Sequence, residues 1–352
     1  MIEHEIIFLN GSSQIDTFFY GNGSDGTTWD TAYKIKNLEM NKLTSESGIE
    51  IWNTNRHIII ENCEIRNTGV PWLIKQDKTS LVDNPTWSIS LNNFTIYPWE
   101  GPAAIKIVNS SNIKIRNCII KSNIGDGILS IRDNNINIEN NIIENNVGRG
   151  IRINSSNSIF LRNNSIKNHD IGISLYNSND LNISYNLLTS NLDSIRFEYT
   201  KDSLIFSNNI TNNIQGIVLL KDSGMNRIIS NLFLHNNWTQ VISFQNFSNI
   251  WSNGQMGNYW SDYTFQYPNA SNDGEVWNLP YIINGSPGDV DSFPLFNQPN
   301  VSYTSEENDT IPISKVGLIT LIGICIPFPG VLLYSFLILK SKKIHVIFPR
   351  NQ

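Results

Sequence analysis

The sequence predicts an all-β protein: a right-handed parallel β-helix of three sheets, with coils of about 22 residues, followed by one C-terminal transmembrane helix. Three observations carry this. From Gly127 onward one pattern recurs, as GILSIRDNNINIENNIIENN, GIRINSSNSIFLRNNSIKNH, GISLYNSNDLNISYNLLTSN and two looser copies. Aligned, the copies form apolar rows, such as Ile105, Ile128, Ile151, Ile173, Ile195, Ile217 and Ile115, Ile138, Leu161, Ile183, Ile205, Ile229. Finally, the stretch VGLITLIGICIPFPGVLLYSFLIL, Val316 to Leu339, carries no charge and is long enough to span a bilayer.

Within each copy, apolar residues alternate at period two in three short runs separated by Asn, Ser, Asp and Gly, which is the pattern of three strands joined by turns. Helical repeats are excluded, because the runs are β-branched and rich in Asn. A further row, Asn141, Asn164, Asn186, Asn208 and Asn231, continues Cys63 and Cys118 of the earlier coils. Amides stacked in such a row can bond along the axis, and Asn tolerates the left-handed backbone of a sharp corner.

The elements follow in chain order. Residues 1–47 form an N-terminal cap, turn-rich at GNGSDGTTWD. The β-helix runs over 48–253, interrupted by an insertion at 69–102. A C-terminal cap occupies 254–300 and a polar linker 301–315. The span is 316–339, with Pro327 and Pro329 predicting a kink, and 340–352 is the tail. Lys340, Lys342 and Lys343 follow the span while Glu306, Glu307 and Asp309 precede it, so the tail is placed in the cytoplasm and the β-helix outside a plasma membrane. The first residues carry no secretory signal, and the true start is expected upstream.

The net charge of −6 and the dispersed Lys and Arg exclude a nucleic-acid partner. Sequons such as Asn10-Gly-Ser, Asn182-Ile-Ser and Asn209-Ile-Thr number roughly a dozen, and in an exported chain those on turns could carry glycans. Cys63 and Cys118 stack on neighbouring coils, as buried small side chains or as a disulfide pair.

Several residues suggest chemistry. Trp72, Trp87, Tyr97 and Trp99 fall in the insertion and Trp52 on the outward parity beside it; flat aromatic faces with nearby amides suit either sugar binding or packing of the insertion. The corner before each first strand offers Asp126, Arg149, Asp170 and Asp193, with Arg152 and Arg196 outward nearby. Asp170 and Asp193 are the one pair on adjacent coils that could serve as two carboxylates of a glycosidase. Asp273, Asp289 and Asp291 are the residues to consider for calcium, the sole cofactor suggested, although the acidic ligand that closes a calcium loop is replaced by Pro280.

GNYWSDY at 257–263 and DGEVWNLPYIINGSPGDVDSFPL at 273–295, after the Asn-rich coils, resemble the C-terminal signature of the NosD-like parallel β-helix family. The resemblance implies the fold over most of the chain. Because a solenoid needs its ends capped, Trp260, Tyr259 and Tyr263, just past the last coil, are expected to close the C-terminal end of the core. Its namesake members assist copper delivery, yet His4, His57, His169, His235, Met40, Met225 and Met256 show no ligand spacing here. The sequence is therefore read as a membrane-anchored surface β-helix that binds an extracellular polysaccharide or glycoprotein without catalysis. A tethered polysaccharide lyase or glycoside hydrolase, and a purely structural surface protein, are the alternatives.

Overall fold

The computed structural model describes residues 2–69, 101–244, 248–286 and 288–301, with the backbone alone at 89–91 and 94–96. Within these residues lies a three-sheet parallel β-solenoid. Its sheets hold ten, nine and eight strands, each pairing in parallel with the equivalent strand of the next coil. A typical coil runs Asp126–Ile131 in the nine-stranded sheet, Asn134–Glu139 in the eight-stranded sheet and Ile142–Glu144 in the ten-stranded sheet.

Register follows the apolar rows. Ile105 pairs with Ile128, Ile128 with Ile151, Ile151 with Ile173 and Ile173 with Ile195, all fully buried. A one-residue slip would turn each row outward, so burial locks the stacking. On the outside of the eight-stranded sheet the column Lys36, Glu61, Arg116, Glu139, Arg162 alternates in sign. Arg116 donates from Nε to Glu61 at 3.0 Å. Opposite charges in direct register favour the same stacking.

Each corner has two parts. A residue in the left-handed region makes the bend, for example Asn140 (φ 57°), Asn163 (φ 53°) and Asn145 (φ 56°). The residue after it points inward and bonds to its copy in the next coil. In the central ladder, the backbone N–H of Asn141 donates to Asn164 Oδ1 at 3.1 Å, while Asn141 Nδ2 donates to the same oxygen and to the Ile115 carbonyl, both at 3.0 Å. Buried polar groups are thereby fully used, which makes Asn compatible with the core. A parallel ladder runs through Asn123, Asn146, His169, Asn191, Asn213 and Asn236, and a third of hydroxyls and one carboxylate through Ser110, Asp133, Ser156 and Ser178. Most copies open on a glycine where backbones approach closely: a Cβ on Gly150 would lie 2.6 Å from the Gly172 carbonyl oxygen, and of the copies from Gly127 onward only the fourth carries a side chain there, Ser194.

The ladders reach back beyond Gly48. Ile7–Asn10 and Tyr33–Lys36 already pair with the first expected coil, so residues before 48 supply most of a coil as well as a cap. The cap itself is the helix Ser12–Phe18, which brings Ile15 over the core, while Phe19, just after it, stacks on Tyr33 at 4.6 Å. At the other end the ten-stranded sheet continues to Tyr259–Trp260. There Trp260 stacks between Phe233 (4.5 Å) and Tyr281 (4.0 Å), and Tyr263 is buried beneath Trp277. The GNYW box is explained by this closure. Asn258 is the last rung of the central ladder, and Asp291 accepts from its backbone N–H (2.7 Å) and from Trp260 Nε1 (3.0 Å). Gly257 has no room for a Cβ, which would fall 1.8 Å from the Asp291 carboxylate.

Cys63 and Cys118 are free and buried, each thiol facing a carbonyl two residues back. Among the described residues no helix is long and apolar enough to cross a membrane. The expected span 316–339 lies outside the described residues, as do Trp72, Trp87, Tyr97 and Trp99.

Candidate functional site

Of the described residues singled out for chemistry, Trp52, Arg152 and Arg196 stand on the outer face of the nine-stranded sheet, with Asp126 and Asp193 opening strands of the same sheet. Two columns of outward side chains run along the axis at the coil spacing of about 4.8 Å. One reads Glu50, Lys106, Leu129, Arg152, Ser174, Arg196; the other reads Trp52, Val108, Ile131, Asn154, Tyr176, Glu198. Strand alternation alone brings them to one side.

At the N-terminal half of this face Trp52 is half-buried. Its ring packs on a small cluster of Ala103, Val108, Leu129 and Ile131, its Nε1 donates to Glu50 at 3.0 Å, and Lys106 Nζ stands 5.1 Å from the ring centre. Trp52 thus serves packing while its ring contacts both a carboxylate and an ammonium group.

The acidic corner is occupied by ion pairs. Asp126 is buried and accepts from Arg152 Nε at 2.7 Å and from the Arg149 backbone N–H at 2.8 Å. Asp193, also buried, is held by Arg196 Nε at 2.7 Å, leaving Oδ1 without a hydrogen-bond partner. Burial pushes the Asp193 carboxyl up and Arg196 pulls it back. Burial likewise lowers the Arg149 guanidinium, with Arg152 adding to the effect. Asp170 is exposed on the turn, its carbonyl accepting from the Asp193 N–H at 2.9 Å. The two carboxylates thus differ completely in setting: one is in solvent, the other buried against a guanidinium. A glycosidase needs both open to a sugar between them, and Asp193 is already engaged.

The residues considered for calcium do not converge either. Asp273 is exposed and caps a turn, accepting from the N–H groups of Glu275 and Val276 at 2.9 Å. Asp289 and Asp291 are buried ends of hydrogen-bond ladders, Asp289 accepting from the Asn249 N–H at 3.3 Å. Burial raises both carboxyls, that of Asp291 to about 6. Among the described residues no three His, Cys, Asp or Glu side chains are placed to share a metal ion.

Sequence reasoning missed part of the same face. At the next coils stand Tyr176, Glu198, Tyr199 and Lys221, with the two tyrosine rings edge-to-face at 5.7 Å and Lys221 Nζ 2.8 Å from the Glu198 carboxylate. A signal existed: Tyr199 and Lys221 fill a corner that is Asn53, Asn109 and Asn177 in other coils.

Residues 96–265 match the sequence model of the NosD family, described as periplasmic copper-binding protein. No curated protein matches the sequence. Among solved structures, the A-module of mannuronan C-5 epimerase AlgE4 from Azotobacter vinelandii is similar at 14% identity and a TM-score of 0.47, over 62% of this chain and 63% of that one. The periplasmic alginate epimerase AlgG aligns at 13% identity and 0.43, over 64% and 53%. DFA-IIIase from Arthrobacter chlorophenolicus aligns at 11% and 0.38, over 74% and 62%. The chain thus spans between half and two-thirds of these structures' lengths. The described residues do not supply the clustered donors that copper requires, and no copper chemistry is derived for them.

Proposed function

We propose that this NosD-like β-helix is an extracytoplasmic protein that holds carbohydrate along the outer face of its nine-stranded sheet without cleaving it. The observation that carries this is the pairing of the corner carboxylates. Asp126 is consumed by Arg152 and the Arg149 N–H, and Asp193 is buried and held through one oxygen by Arg196 while Asp170 stands alone in solvent, so the face presents aromatic edges and fixed hydrogen-bonding groups in place of two open carboxylates facing each other. Such a surface suits a ligand rich in hydroxyls, whose apolar faces lie on rings while charged groups take its oxygens.

The tether is the second part of the proposal. The uncharged run Val316–Leu339 with lysines after it would anchor the protein in the plasma membrane, tail inward, and leave the solenoid to meet extracellular polysaccharide or glycoprotein. The insertion aromatics Trp72, Trp87, Tyr97 and Trp99 would extend the binding surface beside Trp52.

A glycan array probed with the detergent-solubilised full chain tests the reading. Retention of a defined set of polysaccharides, unchanged in length after incubation, is the expected result. Cleavage that disappears in Asp170→Asn or Asp193→Asn would instead make the protein a hydrolase or lyase.

A further inference from the structure

The corner that follows the second outward column is left-handed in each coil whose corner is described, and several coils fill it with the residues the backbone prefers. Asn53 (φ 54°), Asn109 (φ 49°), Ser155 (φ 52°) and Asn177 (φ 46°) are small polar residues. They form a surface ladder, Asn53 Nδ2 donating to Asn10 Oδ1 at 2.8 Å and Asn109 Nδ2 to Asn53 Oδ1 at 2.7 Å. The pattern is broken once at Arg132 (φ 55°), and then in the two coils directly after Asn177, where the same corner is Tyr199 (φ 53°) and Lys221 (φ 47°), two large side chains in succession. A bulky residue is disfavoured in this region, because its Cβ crowds the neighbouring carbonyl. Neither side chain is repaid by burial, for Tyr199 is 42% exposed and the Lys221 side chain 50%. Backbone strain retained for exposed side chains is a mark of function.

What these side chains build is specific. Tyr199 meets Tyr176 edge-to-face, Lys221 Nζ stands 5.7 Å from the Tyr199 ring centre, and Lys221 pairs with Glu198. Arg196, in the neighbouring column, is tied to Asp193. An exposed ring is flanked by a donor and an acceptor, and each cation is matched by a carboxylate. Lys221 and Arg196 at this subsite are each neutralised by a carboxylate, which favours a neutral ligand over an anion there.

We propose that Tyr176, Glu198, Tyr199 and Lys221 form a saccharide subsite for neutral pyranose units. The sugar's apolar face lies on Tyr199, and adjacent hydroxyls bridge the Glu198 carboxylate and the Lys221 ammonium. Tyr199, beside Glu198, lies five coil steps from Trp52, about 24 Å at about 4.8 Å per step, so a chain running parallel to the axis can reach both. This inference rests on the carbohydrate-binding reading above.

The test is calorimetric titration of the full chain in detergent with neutral hexasaccharides, cellohexaose and mannohexaose, and with an oligogalacturonate of equal length. Tyr199→Asn and Lys221→Asn place in the corner the residue that other coils carry there, so both are expected to fold and to melt no earlier than the parent. Each should weaken neutral-sugar binding about fivefold or more. Binding left unchanged by both substitutions refutes the subsite while leaving carbohydrate binding elsewhere on the face intact. Preference for the oligogalacturonate refutes the neutral class. A parent protein that binds none of the three, nor any glycan on an array, overturns the carbohydrate reading and the subsite with it.

Discussion

His169 is the one imidazole in a ladder of amides, and replacing it tests how the solenoid is held together. Asn123 and Asn146 before it, and Asn191, Asn213 and Asn236 after it, each donate from Nδ2 to a carbonyl of the preceding coil, such as Asn146 to Ile120 at 3.3 Å and Asn191 to Ile166 at 3.2 Å. His169 keeps the axial bonds: its Nε2 lies 3.2 Å from Asn146 Nδ2, and its backbone N–H donates to Asn191 Oδ1 at 3.1 Å. Its Nδ1, however, is buried without a partner. With Nε2 accepting from an amide, the ring must be neutral with its proton on Nδ1. Burial depresses the imidazole from 6.5 to about 4, although the Asn191 bond and the charges of Asp126 and Glu144 pull the other way. As pH falls the unfolded chain takes up this proton near 6.5, whereas the folded ring resists until about 4. Stability from this residue is therefore whole above about pH 6.5 and is lost between about 6.5 and 4, with about 2 kcal/mol gone by pH 5. His169→Asn restores the missing amide, which should add about 1 kcal/mol at pH 7 and about 3 kcal/mol at pH 5 relative to the parent. Urea unfolding of both proteins at the two pH values, followed by circular dichroism, measures the difference. Asp133 and Asp291, raised to about 7 and about 6, contribute the opposite slope, but identically in both proteins. Equal pH dependence in parent and variant would refute the reasoning.

Asp291→Ala strips the acceptor from the Asn258 N–H and Trp260 Nε1, and should cost about 3 kcal/mol, seen as early proteolysis within 254–300 while the central coils stay protected. Ile151→Ala opens a cavity between two stacked isoleucines and should destabilise by about 3 kcal/mol in hydrogen exchange of the adjoining coils. Trp52→Ala should weaken glycan retention on an array by about fivefold with the β-sheet circular dichroism intact; lost folding would mean that its contact with Val108 and Ile131 dominates. Protease added to intact cells should remove the solenoid and leave a fragment ending at Gln352, and a digested tail with surviving repeats would reverse the proposed orientation.

The repeat determined the solenoid by itself. A side-chain period of two in runs separated by turn residues leaves few ways to bury Ile105, Ile128 and Ile151 together, and parallel stacking in register is the one that satisfies every row. The Asn row was legible because the interior amide recurs from Asn141 to Asn231, although the left-handed bend proves to fall one residue earlier, at Asn140, Asn163, Tyr185, Ser207 and Ser230. Tertiary structure decided what the period does not encode. That residues before Gly48 already belong to the sheets depends on pairings of Ile7–Asn10 and Tyr33–Lys36, which are too irregular to align by eye. That Asp289 and Asp291 end ladders depends on chain returning from outside the repeat. The fate of Asp126 and Asp193 turned on which neighbour each guanidinium reached, a matter of ångströms across adjacent coils. Burial rows are set by a pattern repeated many times, whereas a site is made by single residues departing from it, as Tyr199 and Lys221 do in a corner built for Asn.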